Sequence, residues 1–466
     1  MYSLSAMTAT LETQPRAVPP VHKGRLLSVL GLAFGLAVII GNTIGMGILR
    51  VPGEIATRLP SPSLFLLVWV AGGLYALLGA ISLSELGAMI PRSGGQYIFV
   101  RHALGEYAGF LAGSSDWIST CGSAAAVSMV MAGYLTELVA PLAGRVTAIA
   151  VATVIAFAVL QWRGVKWGDG AQQLTSLIKT LVLVALVVAC FLIPARHAAP
   201  APAPAAMSHG VALFVAITVA LQGVIYTYDG WNGVIYFSEE VRNPGRDIPR
   251  AMILGVVAVI VIYLGLNVAF LHVVPIGAMA GQTLVAGTAA GALFGPRGNT
   301  IIRIVMVLSL LSSVNALVLM ASRVPYALAR DRLLPASLTA VNRGGTPTPA
   351  LAVGLVISLV FIMTGTFDQV LALLAFFFVL NYLLSFTSVF VLRRREPDAP
   401  RPYRAWGYPW TTGVALVGSA AFLVSAVIGD RANSVRSLIV LALTWPLFLI
   451  IRRLRRPDAR AGSDGA

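Results

Sequence analysis

Gly41-Asn42-Thr43-Ile44-Gly45-Met46-Gly47 lies in the middle of a hydrophobic segment running from about Leu26 to Thr57. That segment is long enough to cross a bilayer once, with tilt. Three glycines and two polar side chains near mid-membrane are costly in a lipid-facing helix, because Gly weakens the helix and exposed polar groups find no water there. Two readings account for them. Gly41-x-x-x-Gly45 is a close-packing motif between transmembrane helices. Alternatively the helix is broken here, so that one half ends in free carbonyls and the next begins with free amides. Such a pair of ends suits the ammonium and carboxylate of a zwitterion.

The composition sets the surroundings of that stretch. Hydrophobic residues make up 58% and charged residues 11% of 466 positions, and the mean hydropathy is +0.84, values foreign to soluble domains. Apolar runs predict about twelve spans, roughly 26–57, 63–90, 105–140, 145–162, 170–193, 210–237, 249–274, 300–328, 349–364, 368–392, 408–428 and 434–451. They leave no room for a soluble domain. The net charge of +15 falls mostly in short loops, which makes it a topology signal and not a nucleic-acid surface. About two dozen Lys and Arg lie on the side holding both termini and about seven on the other, so both termini are expected in the cytoplasm, with the chain in the plasma or inner membrane. Residues 1–25, polar and carrying Arg16, Lys23 and Arg25, read as a disordered cytoplasmic tail with no cleaved signal. Cys121 and Cys190 fall inside spans and read as small packing residues.

A second unusual stretch, Gln222-Gly223-Val224-Ile225-Tyr226-Thr227-Tyr228-Asp229-Gly230-Trp231-Asn232-Gly233, again concentrates Gly and polar groups inside a span. Asp229 and Asn232 are costly there unless they face a cavity. The two stretches fall in spans one and six, the offset expected of two inverted five-helix copies whose discontinuous helices form a substrate site between them. This coincidence favours the broken-helix reading. The expected organisation is a first repeat over 26–193, an external Ala/Pro loop over 194–209, a second repeat over 210–392, two extra helices over 393–451 and a cytoplasmic tail over 452–466.

Further residues keep two readings each. Lys179, in span five, either snorkels to water or is a buried cation that bridges helices or titrates. Ser309, Ser312, Ser313 and Asn315 in span eight are helix glue or line an ion-like site. The basic segment Pro91 to Arg101 is a surface helix or part of an inner gate. Residues 275–298 carry short apolar pieces suited to lie over the outer entrance.

Gly45-Met46-Gly47-Ile48 resembles the Gly-Ser-Gly-Ile motif of the amino acid–polyamine–organocation superfamily. Pro91-Arg92-Ser93-Gly94-Gly95-Gln96-Tyr97, Tyr228-Asp229-Gly230-Trp231-Asn232, Glu239-Glu240-Val241-Arg242-Asn243-Pro244, Ser322-Arg323 and Arg401-Pro402-Tyr403-Arg404-Ala405-Trp406-Gly407-Tyr408-Pro409 resemble its L-type amino acid transporter branch. The resemblance implies an all-α integral membrane protein, a five-plus-five inverted repeat of the LeuT-like kind with broken helices 1 and 6, working by alternating access. It implies that Thr43, Ile44, Gly45, Met46 and Gly47 bind the substrate's carboxylate. Carbonyls near Thr43 and Tyr226 would take its ammonium, Asn232 would support the site, and Tyr226 would close over it as an outer gate. Lys179 would take the place of a sodium ion, linking span one to span eight near Ser313. Two departures stand out. Met46 occupies a position where the family commonly has Ser, so side-chain specificity does not carry over. The loop Ala140 to Arg145 has no Cys, so no heavy-chain subunit is expected.

The resulting expectation is a sodium-independent amino acid transporter, an exchanger or a proton-coupled symporter, with no cofactor or metal. A polyamine or organic-cation transporter of the same fold is the alternative, with Asp229 and Glu54 as its candidate carboxylates. An enzyme is disfavoured, because the five histidines fall in tails, loops or span ends and form no cluster with Asp or Glu. No repeated filter or ring-forming charge pattern points to a channel.

Overall fold

A chain this apolar must satisfy its backbone polar groups within each segment, and helices do so without water. The computed structural model describes residues 26–195, 206–364, 367–429 and 431–454. The expected N-terminal tail, the Ala/Pro loop between 196 and 205 and the tail beyond 454 lie outside them. The described residues are helical, without strands.

In chain order the helices are α1 (Leu32–Thr43), α2 (Gly47–Arg58), α3 (Pro62–Met89), α4 (Gln96–Leu104), α5 (Glu106–Leu138), α6 (Val146–Trp162), α7 (Val165–Leu192) and α8 (Val211–Tyr228). There follow α9 (Pro244–Val273), α10 (Ile276–Met279), α11 (Val285–Phe294), α12 (Gly298–Ala321), α13 (Arg323–Arg330), α14 (Thr348–Thr364), α15 (Phe367–Arg395), α16 (Trp410–Gly429) and α17 (Arg431–Leu454). By length and composition nine described spans reach crossing length, or ten if the bent pair α1 and α2 is one span. Helices α6 and α14, of 17 residues each, stand at the expected positions of spans four and nine. Seventeen residues rise about 26 Å, close to the hydrocarbon thickness.

Prolines mark several starts. Pro62 and Pro244 open α3 and α9, where the missing N–H is one the helix leaves unpaired anyway. Two expected boundaries are corrected. Residues 26–31 are not helical: Leu30 donates to the Glu240 carbonyl at 2.8 Å and accepts from the Arg242 amide at 2.9 Å. The expected eighth span is divided at Ser322 into α12 and α13.

Helix α1 is central, packed on α7, α9 and α12, while α3 lies against α8 and α9, and α5 against α12, α14 and α15. The outer faces are apolar. On α7, Leu174, Leu177, Leu181, Val184 and Val188 are exposed, at the spacing of one helical stripe, as a lipid-facing surface requires. Cys121 and Cys190 are buried free thiols.

Candidate functional site

Glycine chemistry explains the interruption of the first span. Helices α1 and α2 meet at 43° across residues 44–46. A Cβ on Gly41 would stand 2.0 Å from Gln172 Nε2, and one on Gly47 would stand 2.9 Å from the Thr227 side chain. A Cβ on Gly45 would meet nothing within 4 Å. Gly41 and Gly47 are therefore contact glycines, whereas Gly45 leaves backbone uncovered beside open space. No side chain caps the start of α2, and although the Leu49 amide donates to the Met46 carbonyl at 3.2 Å, those of Gly47 and Ile48 remain available to an anion.

Helix α8 stops at Tyr228, and after a turn the chain continues as a 3-10 helix over Gly233–Phe237. Gly230, in the turn, has φ of +106°, and a Cβ there would stand 2.8 Å from Asn42 Nδ2 and 3.0 Å from the Thr43 amide. Both the left-handed backbone and the close approach exclude a side chain. Asn42 Nδ2 donates to the Gly230 carbonyl at 3.3 Å. The Tyr263 hydroxyl of α9 lies 2.8 Å from the Thr43 carbonyl and 3.0 Å from that of Thr227. The two interrupted segments thus touch each other directly and share one tyrosine.

Lys179 does not snorkel. It is 1% exposed, and its Nζ donates to the carbonyls of Gly41 at 2.7 Å and Ile44 at 2.5 Å and to Ser313 Oγ at 3.1 Å. These three contacts match the three donors of an ammonium. Ser313 Oγ in turn donates to the Gly41 carbonyl at 2.8 Å. Ser312 and Asn315 behave as glue: Ser312 meets Ser176 at 2.9 Å, and Asn315 donates to Gln172 Oε1 at 2.8 Å.

A cavity of about 1100 Å³ lies at the two interruptions, lined among others by Thr43, Gly45, Met46, Gly47, Tyr226, Asn232 and Ser313. Ile44 is the exception. Its side chain is fully buried in the core, and only its carbonyl takes part, through Lys179. At one end the lining includes Arg50, Glu54, Arg58 and Thr283, all exposed, so the cavity opens there. Residues 281–283 sit at this mouth against α2, with the Gly281 amide donating to Thr57 Oγ1 at 2.7 Å. Of the two carboxylates considered for a polyamine, Glu54 pairs with Arg58 at this mouth, and Asp229 accepts from the Tyr382 hydroxyl. Among the described residues no group of His, Cys, Asp or Glu is arranged to hold a metal ion.

A family model for amino acid permeases matches residues 26–451. The chain belongs to the amino acid permease family. Among its relatives, the serine/threonine exchanger SteT of Bacillus subtilis is 28% identical over 430 residues, 90% of this chain and 95% of that one. The mouse b(0,+)-type amino acid transporter 1 is 26% identical over 410 residues, 86% and 82% of the two chains. The human large neutral amino acids transporter small subunit 2 is 27% identical over 390 residues, 80% and 71% of the two. The permease is thus a multi-pass membrane transporter of amino acids and not an enzyme, resembling the L-type branch of the superfamily.

At the end away from the mouth the permease is closed by ion pairs that bring the remaining motifs together. Arg323 makes a bidentate bond to Glu240, at 3.0 and 2.8 Å, both side chains fully buried. Arg330 reaches Glu239 at 2.7 Å. Asp331 gathers Arg92 at 3.1 Å, Arg101 at 2.9 Å and the Tyr97 hydroxyl at 2.8 Å. Burial, and then the Asp331 charge, push the Tyr97 hydroxyl well above its ordinary pKa, so it remains a donor. The basic segment after α3 is therefore a helix, α4, tied into this closure. Sequence reasoning missed Tyr263, Gln172 and the gathering role of Asp331. Tyr263 lies in an apolar run whose nearest charges are well removed, and the single Gly265 beside it does not set it apart from an ordinary span.

Proposed function

We propose that the permease is a sodium-independent amino acid transporter working by alternating access, as an exchanger or as a proton-coupled symporter. The observation that carries this reading is the position of Lys179. A cation built into the chain ligates the carbonyls where α1 ends and joins them to α12 through Ser313. A dissolved sodium ion has no work left to do at those oxygens.

In this reading α1 with α2, and α8 with its 3-10 continuation, are the corresponding broken spans of two inverted repeats over 26–193 and 210–392. The free amides of Gly45, Met46 and Gly47 take the substrate's carboxylate. The Thr43 carbonyl already accepts from Tyr263, and the Tyr226 carbonyl accepts from the Asp229 amide at 3.2 Å. A carbonyl has two lone pairs, so each keeps one for the ammonium. Asn232 supports the site, and Tyr226 closes over it. The basic end faces the cytoplasm with both termini, by the positive-inside rule, so the cavity opens to the outside of the cell membrane. The absence of Cys between Ala140 and Arg145 fits a transporter that works without a heavy chain.

The test is radiolabelled uptake by the purified permease in liposomes, with and without internal amino acid, an inward proton gradient and sodium. Uptake that needs internal amino acid defines an exchanger, and uptake driven by the proton gradient into empty liposomes defines a symporter. A requirement for sodium under either condition would overturn the reading.

A further inference from the structure

Asp116 lies on α5, is 2% exposed and lines the cavity. Its Oδ1 accepts from the Tyr236 hydroxyl at 2.6 Å, while its Oδ2 is buried without a hydrogen-bond partner. A buried carboxylate oxygen left unmet costs substantially more than a hydrogen bond returns, and native structures rarely leave one so. Tyr236 stands in the 3-10 helix just past Asn232, so Asp116 is reached from the second interruption by moving away from the mouth. The substrate's own carboxylate and ammonium are accounted for at the interruptions. What remains of the molecule, its side chain, has the part of the cavity lined by Asp116 open to it.

The surrounding charge narrows the chemistry. Away from the mouth the lining holds two carboxylates, the buried Asp116 and the half-buried Asp229, while its arginines, Arg50 and Arg58, stand at the exposed mouth. Asp229 is engaged by Tyr382. Thr120 and Ser123, on the same helix as Asp116, add hydroxyls to this wall. An aliphatic side chain placed there would cover Oδ2 with hydrocarbon, and an acidic one would add like charge.

We infer that Asp116 is the residue that selects the substrate's side chain, accepting a hydrogen bond through Oδ2 from a side-chain hydroxyl or amine. Resting on the proposed transport function, the permease then prefers small amino acids with a hydrogen-bond donor on the side chain over aliphatic ones of the same shape. The discrimination is large because a site built around a polar contact rejects the analogue that leaves it unmet, whereas an apolar pocket distinguishes such isosteres poorly.

The experiment compares threonine with valine, which have the same shape, and serine with alanine, by radiolabelled uptake and cross-inhibition in liposomes. It uses the wild type, Asp116→Leu and Asp116→Asn. The wild type is expected to favour threonine over valine by about tenfold or more, the worth of a bond to a charged acceptor. Asp116→Leu should bring that ratio close to one while valine uptake persists. Asp116→Asn, which keeps the shape but offers a neutral acceptor, should lower the ratio at least about threefold, and it decides the matter if the leucine variant does not fold. A wild type that takes valine as readily as threonine overturns the inference, as does an Asp116→Asn ratio equal to wild type. Equal loss of all four amino acids in Asp116→Asn also overturns it, because the carboxylate would then serve the common ammonium or the fold. If the wild type takes up none of them, the transport reading itself fails.

Discussion

Replacing Lys179 by Met keeps the length and apolar stem of the side chain and removes its three donors. The consequences are unequal. The Gly41 carbonyl retains Ser313 Oγ at 2.8 Å, whereas the Ile44 carbonyl keeps only the same hydroxyl at 3.5 Å, the outer limit of a hydrogen bond. One buried carbonyl is therefore orphaned, at about 1–3 kcal/mol, and it belongs to the residue between the end of α1 and the open backbone of Gly45. If that amount is the cost of holding the interruption in its binding shape, substrate affinity falls roughly 5- to 150-fold. The assay is equilibrium binding of a radiolabelled amino acid to purified protein in sodium-free buffer, with thermal unfolding measured beside it. Binding within twofold of wild type would refute the reasoning, because it would mean the interruption holds its shape without the ammonium.

Other substitutions separate packing from ligand contact. Gly41→Ala forces a Cβ to within 2.0 Å of Gln172 Nε2 and should destabilise the protein by about 1–3 kcal/mol. Gly45→Ala has room and should leave the unfolding temperature unchanged while weakening substrate binding, and equal effects in the two variants would contradict the division. Arg323→Ala strands Glu240 in the interior and should cost about 3–5 kcal/mol in detergent unfolding, whereas the double change Arg323→Met with Glu240→Leu should recover most of it. Asn232→Ala should weaken binding by about 1–3 kcal/mol, and unchanged affinity would remove Asn232 from the site. Tyr226→Ala should speed release of bound substrate by removing the ring that closes over it, with the unfolding temperature held, and release as slow as wild type would remove Tyr226 as the gate.

The interruptions were legible because Gly and polar residues inside an apolar run have a cost that periodicity cannot absorb. The packing and broken-helix readings of the first stretch turn out to describe different glycines, Gly41 and Gly47 for one and Gly45 for the other. Lys179 and Ser313 were legible as a pair only through resemblance, since distance across the bundle leaves no trace in spacing. The closure at the basic end was visible as separate motifs, but not as one assembly around Asp331. A single acidic residue at the end of a short amphipathic helix carries no mark that three partners converge on it from α4 and the segment before it. Residues 26–31 were absorbed into the first span because their composition is apolar, and their pairing with Val241 depends on a strand-like neighbour that lies far away in the chain.

Tyr263 has one hydroxyl hydrogen and two claimants, the carbonyls of Thr43 and Thr227. A hydrogen divided in this way ties the two interruptions to each other. While the two interruptions stay side by side it serves both, and once they part it can follow only one. The abandoned oxygen then forfeits about one hydrogen bond, 0.5–1.5 kcal/mol. That sum is the most this one hydroxyl adds to the packing that keeps the two interruptions side by side.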